Sequence, residues 1–207
     1  MKRVAIIDYG MGNIDSVFRA VEECGGAPVV TCLAAEISDA DCIILPGVGS
    51  FGDGMHNIRQ RRLDEIVAER VLDRGIPFLG ICLGMQLLAE RGYEFGEHQG
   101  LGWIKGDVVR LQADTPNSRI PHVGWNEVFP QQDSPLLAGI QPGRDFYFVH
   151  SYHFLCAAGA NILATTPYCG GFTSVVGAGN IFGVQFHPEK SQKAGFTVLR
   201  NFLSLQR

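Results

Sequence analysis

The chain has 207 residues, 46% of them hydrophobic and 18% charged, with a formal net charge of −4 and an isoelectric point of about 5.8. These values exclude a disordered chain and offer no electrostatic footprint for nucleic acid. The densest basic run, Arg59-Gln60-Arg61-Arg62, reads as the wet face of a helix. One domain over residues 1–207, with a sizeable core, is the simplest organisation.

The N-terminus, Met1-Lys2-Arg3, leads into a short apolar run that ends at Asp8. That run is too short for a signal sequence or a membrane span. Six cysteines, at 24, 32, 42, 82, 156 and 169, form no C-x-x-C pair. Without a secretory signal this predicts reduced thiols and a cytoplasmic protein. No Cys/His cluster has metal-ligand spacing, so neither a metal nor another cofactor is expected.

Val4 to Ile7 reads as a strand, followed by Ile14, Val17, Phe18 and Val21 at helical spacing before Gly25-Gly26. A second strand covers about 28 to 33 and a third Cys42 to Leu45. Ile58, Ile66, Val67, Val71 and Leu72 suggest a long helix ending at Gly75. Ile76 to Ile81 reads as a fourth strand, with a helix from about Leu83 to Arg91 behind it. Continuous apolar strands separated by helices predict a parallel sheet covered on both faces. From Trp103 the pattern changes to β-rich stretches at about 103–111, 120–129, 145–155, 161–166, 172–176 and 181–186, then a helix from Gln192 to Leu205. The expected fold is therefore α/β: a mostly parallel central sheet with flanking helices and an antiparallel extension in the second half.

After the third strand, Gly47-Val48-Gly49-Ser50-Phe51-Gly52 matches the spacing of the dinucleotide fingerprint. Its context fails. The fingerprint belongs at the first βα turn, with an acidic residue about 20 positions on, at the end of the next strand. Here the glycines follow the third strand, and Asp73 precedes the fourth. The glycines need another explanation.

Gly80-Ile81-Cys82-Leu83-Gly84 is a cysteine form of the nucleophile elbow, with strand before and helix after. A sharp turn holds the backbone under strain and brings it close to itself. Glycines two residues either side remove the Cβ atoms that would clash. A helix N-terminus favours the thiolate, the reactive form. An isolated cysteine beside two glycines could equally be a small packed hydrophobe, but the five-residue pattern favours the nucleophile. A thiol needs a base, and the base an orienting group. Gly183-Val184-Gln185-Phe186-His187-Pro188-Glu189 delivers His187 at a strand end, with Glu189 two residues on. The other histidines, at 56, 98, 122, 150 and 153, read as surface or satisfied groups.

"GICLGMQ" together with "FGVQFHPEKS" resembles the class I, triad-type glutamine amidotransferases, and the likeness spans essentially the whole chain. The resemblance implies a Cys82–His187–Glu189 triad that cleaves the side-chain amide of glutamine. It also implies an oxyanion hole made by the N–H groups of Val48 and Leu83, which accounts for the glycines after the third strand. Glycines flanking Val48 would let that peptide turn over, making or unmaking the hole.

Three segments, "DYGMGNIDSV", "PHVGWNEV" and "FYFVHSYHF", are similar to one branch of that family. Its members are the glutaminase subunits of imidazole glycerol phosphate synthases in histidine biosynthesis. That likeness implies a heterodimer with a cyclase subunit of (β/α)8 barrel type, which receives the ammonia. By position it assigns Gly49, Gln86, Glu94, Ser151 and Tyr152 to holding glutamine. Asn13, Trp125, Tyr147 and Lys190 fall to the partner face or ammonia passage, although Trp125 and Tyr147 would also serve as packing. Met11 departs from relatives that carry proline there. Two alternatives stay open: a glutaminase of the anthranilate or pyridoxal phosphate pathways, and a non-catalytic binding module of the same fold.

Overall fold

A computed structural model describes residues 1–116 and 118–206. Along β1 (Arg3–Ile7), Val4 and Ile6 enter one apolar cluster, and Ala5 and Ile7 the other. Both faces of the strand are buried, which is why its sequence is continuously apolar instead of alternating. The same holds for β3 (Cys42–Gly47) and β4 (Phe78–Cys82). Helix α1 (Ile14–Glu23) and the closing α6 (Gln192–Ser204) cover the first face, and α3 (Phe51–Gln60) and α4 (Leu63–Ala68) the second. Val198, Leu199 and Phe202 fix α6 there, each such burial contributing about 1.5–3 kcal/mol.

Strand β2 (Ala27–Thr31) pairs with β1, β1 with β3, β3 with β4, and β4 with β13 (Ile181–Val184), all parallel. Beyond β13 the sheet turns antiparallel through β12 (Phe172–Ala178), then β10 (Tyr152–Cys156) and β7 (Gly106–Arg110). A side arm runs from β12 through β11 (Ile162–Thr166) to the hairpin of β8 (His122–Pro130) and β9 (Arg144–His150). The expected parallel sheet with an antiparallel second half is the observed architecture.

Several expected elements differ in extent. The helix expected over Leu83–Arg91 is only α5 (Leu83–Gln86), followed by turns and the short β5 (Arg91–Gly92). The carbonyls of Leu87, Leu88, Ala89 and Glu90 accept the N–H groups of Leu101, Ile104, Gly102 and Gly100, so the helical ladder cannot continue. β5 adds β6 (His98–Gln99) at the sheet edge. The long helix ending at Gly75 breaks at Arg62, which has a left-handed φ of 55°, and widens into a π turn at Glu69–Asp73. The strand expected over 145–155 is two strands in different arms of the sheet, interrupted at Ser151. There His150 Nδ1 bonds Tyr152 O at 2.9 Å and Leu111 N–H bonds Ser151 O. A short helix, α2 (Ala34–Ser38), was not expected.

Candidate active site

Parallel pairing decides where the site lies. Ile81 is in register with Val184, so the chain leaving β13 runs beside the end of β4. Gln185, Phe186 and His187 therefore pass next to Cys82, at the carboxyl edge where α/β sheets carry their ligands. Cys82 has φ 54° and ψ −108°, a region costing a non-glycine residue about 1–3 kcal/mol. The surroundings enforce it. A Cβ on Gly84 would run into Leu45 O, and one on Gly80 into the Gly84 carbonyl. Strand, elbow and helix touch backbone to backbone.

The thiol is nearly buried. Its Sγ lies 3.9 Å from Val149 O, and Gln185 Nε2 approaches it at 3.7 Å. His187 Nδ1 bonds Glu189 Oε1 at 2.8 Å, with side chains only 2% and 1% exposed. Glu189 thereby fixes the tautomer, leaving Nε2 free. That atom is buried, forms no hydrogen bond among the described residues, and has the Cys82 thiol as its neighbour. Burial lowers the proton affinity of the imidazole, but the Cys82 sulfur, once it carries charge, and the Glu189 carboxylate outweigh it and raise the pKa of His187 to about 10, so a proton that leaves the thiol is held on the ring. Ser191 holds the turn. Its hydroxyl donates to His187 O at 2.6 Å and accepts Tyr147 N–H at 3.0 Å, while His187 N–H donates to Tyr147 O.

A cavity of about 270 Å³ opens above the thiol. Val48, Leu83, Gly49, Gln86, Glu94, Ser151 and Tyr152, all expected from the sequence, line it with Cys82. As the first residue of α5, Leu83 presents an N–H that the helix cannot satisfy. Gly49 has φ +121°, a backbone conformation that favours glycine, and the Met11 methyl packs on it. The Met11 substitution thus touches the glycine loop directly. Glu94 Oε2 also accepts the Phe51 N–H that opens α3.

Pro121, Val149 and His150 complete the lining and were not expected there. His150 is satisfied, as the sequence reading has it, yet it forms part of the wall. Because Tyr152 O only accepts, His150 Nδ1 carries the hydrogen and its Nε2 accepts from His122 Nδ1 at 2.9 Å. His122 Nε2 then accepts from Asn126 at 3.1 Å. Burial lowers the pKa of His122 to about 4 and, with a smaller contribution from neighbouring imidazoles, that of His150 to about 3, so the chain of rings is neutral. Tyr9 was also missed. Its hydroxyl is buried beside Gly47 with no partner among the described residues.

Trp125, Tyr147 and Lys190 come together on the outer face. The two rings meet edge-on at 6.0 Å, and the Lys190 ammonium lies 5.7 Å from the Tyr147 ring centre. Val123 and Val149 extend this exposed apolar face towards Val48. Asn13 lies at the start of α1. Among the described residues, no group of three His, Cys, Asp or Glu side chains is placed to hold a metal ion, and no helix is long and apolar enough to cross a membrane.

The family model of class-I glutamine amidotransferases matches residues 5–205. The chain belongs to that family. Imidazole glycerol phosphate synthase subunit HisH 2 of Nitrobacter winogradskyi is 47% identical to this amidotransferase, over 98% of each chain. Subunit HisH of Rhodospirillum rubrum is 49% identical, over 97% of this chain and 98% of its own. Among solved structures, PurLQS from Thermotoga maritima superposes with a TM-score of 0.75 at 22% identity, over 98% of each chain. The glutaminase domain of Trypanosoma brucei CTPS gives 0.69 at 17%, over 99% of this chain and 93% of its own. At those identities the structural likeness establishes the fold of this amidotransferase and nothing finer.

Proposed function

We propose that this amidotransferase is the glutaminase subunit of an imidazole glycerol phosphate synthase. Cys82 is the nucleophile, His187 the base and Glu189 the orienting carboxylate. The observation that carries the reading is a strained, nearly buried thiol beside a carboxylate-held imidazole, at the floor of a cavity sized for a small polar molecule. Relatives at 47% and 49% identity that bear the subunit's name support the pathway.

In the reaction, the Cys82 proton passes to His187 Nε2 and the thiolate attacks the side-chain carbonyl of glutamine. The N–H groups of Val48 and Leu83 receive the oxyanion, each such donor being worth roughly 10²–10³ in rate. His187 returns the proton to the departing nitrogen, ammonia leaves, and water hydrolyses the thioester to glutamate. Gly49, Glu94, Ser151 and Tyr152 hold the substrate, Glu94 facing its ammonium group. The partner is a cyclase subunit of (β/α)8 barrel type, docked on the face of Trp125, Tyr147 and Lys190 and extended by Val123 and Val149, with Asn13 at its margin. Ammonia passes directly between the subunits. Six free cysteines support a cytoplasmic setting. Between its two glycines the Val48 peptide turns over when the cyclase binds its nucleotide, so that glutamine is cleaved when ammonia can be used.

The test is glutamate release by the purified chain, alone and then with the cyclase subunit and its ribonucleotide substrate. A low rate that rises strongly in the complex is expected. Equal rates would remove the conditional oxyanion hole. Stimulation by an anthranilate or pyridoxal phosphate synthase, with none by the cyclase, would move this subunit to another pathway.

A further inference from the structure

Gln185 is completely buried between the end of β13 and the elbow. Its backbone N–H is taken by Ser174 O, so the side chain has no freedom to follow a shifting main chain. Three hydrogen bonds fix which way its amide points. Gln86 Nε2 donates to Tyr152 O at 2.9 Å, and a carbonyl can only accept. The same nitrogen donates its second hydrogen to Gln185 Oε1 at 3.1 Å. With its oxygen committed there, Gln185 must turn its NH2 group to the other side, where Cys82 Sγ lies 3.7 Å away. Reversing the Gln185 amide would set donor against donor and leave a buried carbonyl facing sulfur; reversing the Gln86 amide would set its oxygen against two acceptors, Tyr152 O and Gln185 Oε1, and either is costly away from water.

We propose that Gln185 is a thiolate-stabilising residue of this site, oriented for that task by Gln86. A thiol sulfur is a weak acceptor and a thiolate a strong one, so the Gln185 N–H bond strengthens as the Cys82 proton moves to His187 Nε2. An interaction that grows with the developing charge favours the reactive state over the resting one. It requires no reagent beyond the thiol and the imidazole. It also gives Gln86 a task apart from the substrate: both hydrogens of its amide nitrogen are committed inside the protein, tying the thiol's neighbour to Tyr152 at the start of β10, along the cavity wall.

The inference rests on Cys82 being the glutaminase nucleophile, and the experiment separates the two. Alkylation of Cys82 by iodoacetamide is followed between pH 5 and pH 10 on the full chain, by the mass of the peptide containing it. In parallel, glutamate release is measured in the complex. In Gln185→Met, which keeps the volume and removes the donor, the alkylation midpoint should rise by about one pH unit, and kcat should fall about ten-fold with KM little changed. Gln185→Glu, which sets a carboxylate against the sulfur, should raise the midpoint further. Gln86→Met should move it the same way by less, because the donor stays but loses its orientation. An unmoved midpoint in Gln185→Met overturns the proposal even if kcat falls, since a purely structural role would lower activity without moving the titration. If Gln185→Met fails to melt cooperatively, Gln86→Met decides by the same midpoint. A wild-type Cys82 inert at every pH, in a complex that releases no glutamate, would overturn the glutaminase reading and this inference with it.

Discussion

The two halves of the site are held by different means. On the side of the proposed nucleophile the main chain does the work: Cys82 sits at φ 54° because Gly80, Gly84 and Leu45 pack backbone against backbone around it. On the base side the side chains do it. His187 leans on Glu189, and Ser191 ties the turn to Tyr147. A contact between backbones depends on volume, whereas a hydrogen bond depends on one atom. Substitutions should therefore damage the two halves in different ways.

The largest contrast is at Cys82. Cys82→Ala should lower glutamine hydrolysis by roughly 10⁴-fold or more, while the complex still makes product from added ammonium. Cys82→Gly should be equally inactive but more stable than Cys82→Ala by about 1 kcal/mol or more, because glycine accepts the positive φ. That difference should appear as a melting temperature higher by about 2–4 °C per kcal/mol. Equal melting temperatures would mean that the elbow stores no strain.

His187→Ala should come next, at roughly 10³–10⁴-fold in rate, and it should also lower the melting temperature at neutral pH, because the buried Glu189 carboxylate loses its partner. Glu189→Gln should be milder, roughly 10²-fold, because the amide oxygen can still accept from Nδ1 and keep the tautomer while the charge is lost. Equal losses in the two variants would merge base and orienter into one role. Ser191→Ala should show the smallest change in rate. Its effect belongs to stability, about 1–2 kcal/mol for the Tyr147 N–H left without a partner, and differential scanning calorimetry would read it.

Acid and alkali should also act on different imidazoles. His122 and His150 bind protons more weakly when folded, near 4 and 3, than in the unfolded chain, near 6.5. Their contribution to stability is complete above about pH 6.5 and is lost as pH falls towards those values. His187, raised to about 10, contributes fully below about pH 6.5 and loses that contribution as pH climbs through 10. Melting temperature measured across pH should therefore fall at both ends, and His187→Ala should flatten only the alkaline limb.

The meeting of Cys82, His187 and Glu189 at one edge was legible because each lies in a short, distinctive segment, and because register in a parallel sheet carries strand ends to a common edge. The parallel character of the first half of the sheet was legible from uninterrupted apolar runs. What escaped depends on partners far along the chain. Nothing local to Leu87–Glu90 reveals that residues 100–104 will take its carbonyls and stop the helix. Nothing in "FVHSYHF" says that one strand is two, since the break at Ser151 is fixed by bonds from His150 and Leu111. Gln185 lies inside the strand expected over 181–186, where no role falls to it. Its meaning comes from Gln86, Tyr152 and Cys82, which no window of sequence contains together.

The glycines at 80 and 84 bear on how a mutational scan of this enzyme should be interpreted. Every replacement at Gly84 collides with Leu45 O, and every replacement at Gly80 with the carbonyl of Gly84. Both positions would score as intolerant across all nineteen alternatives, as sharply as Cys82 itself, although neither touches a substrate or moves a proton. A map of lost activity alone would draw a catalytic centre too large by these two residues. Only a parallel readout of folded protein would return it to its true size.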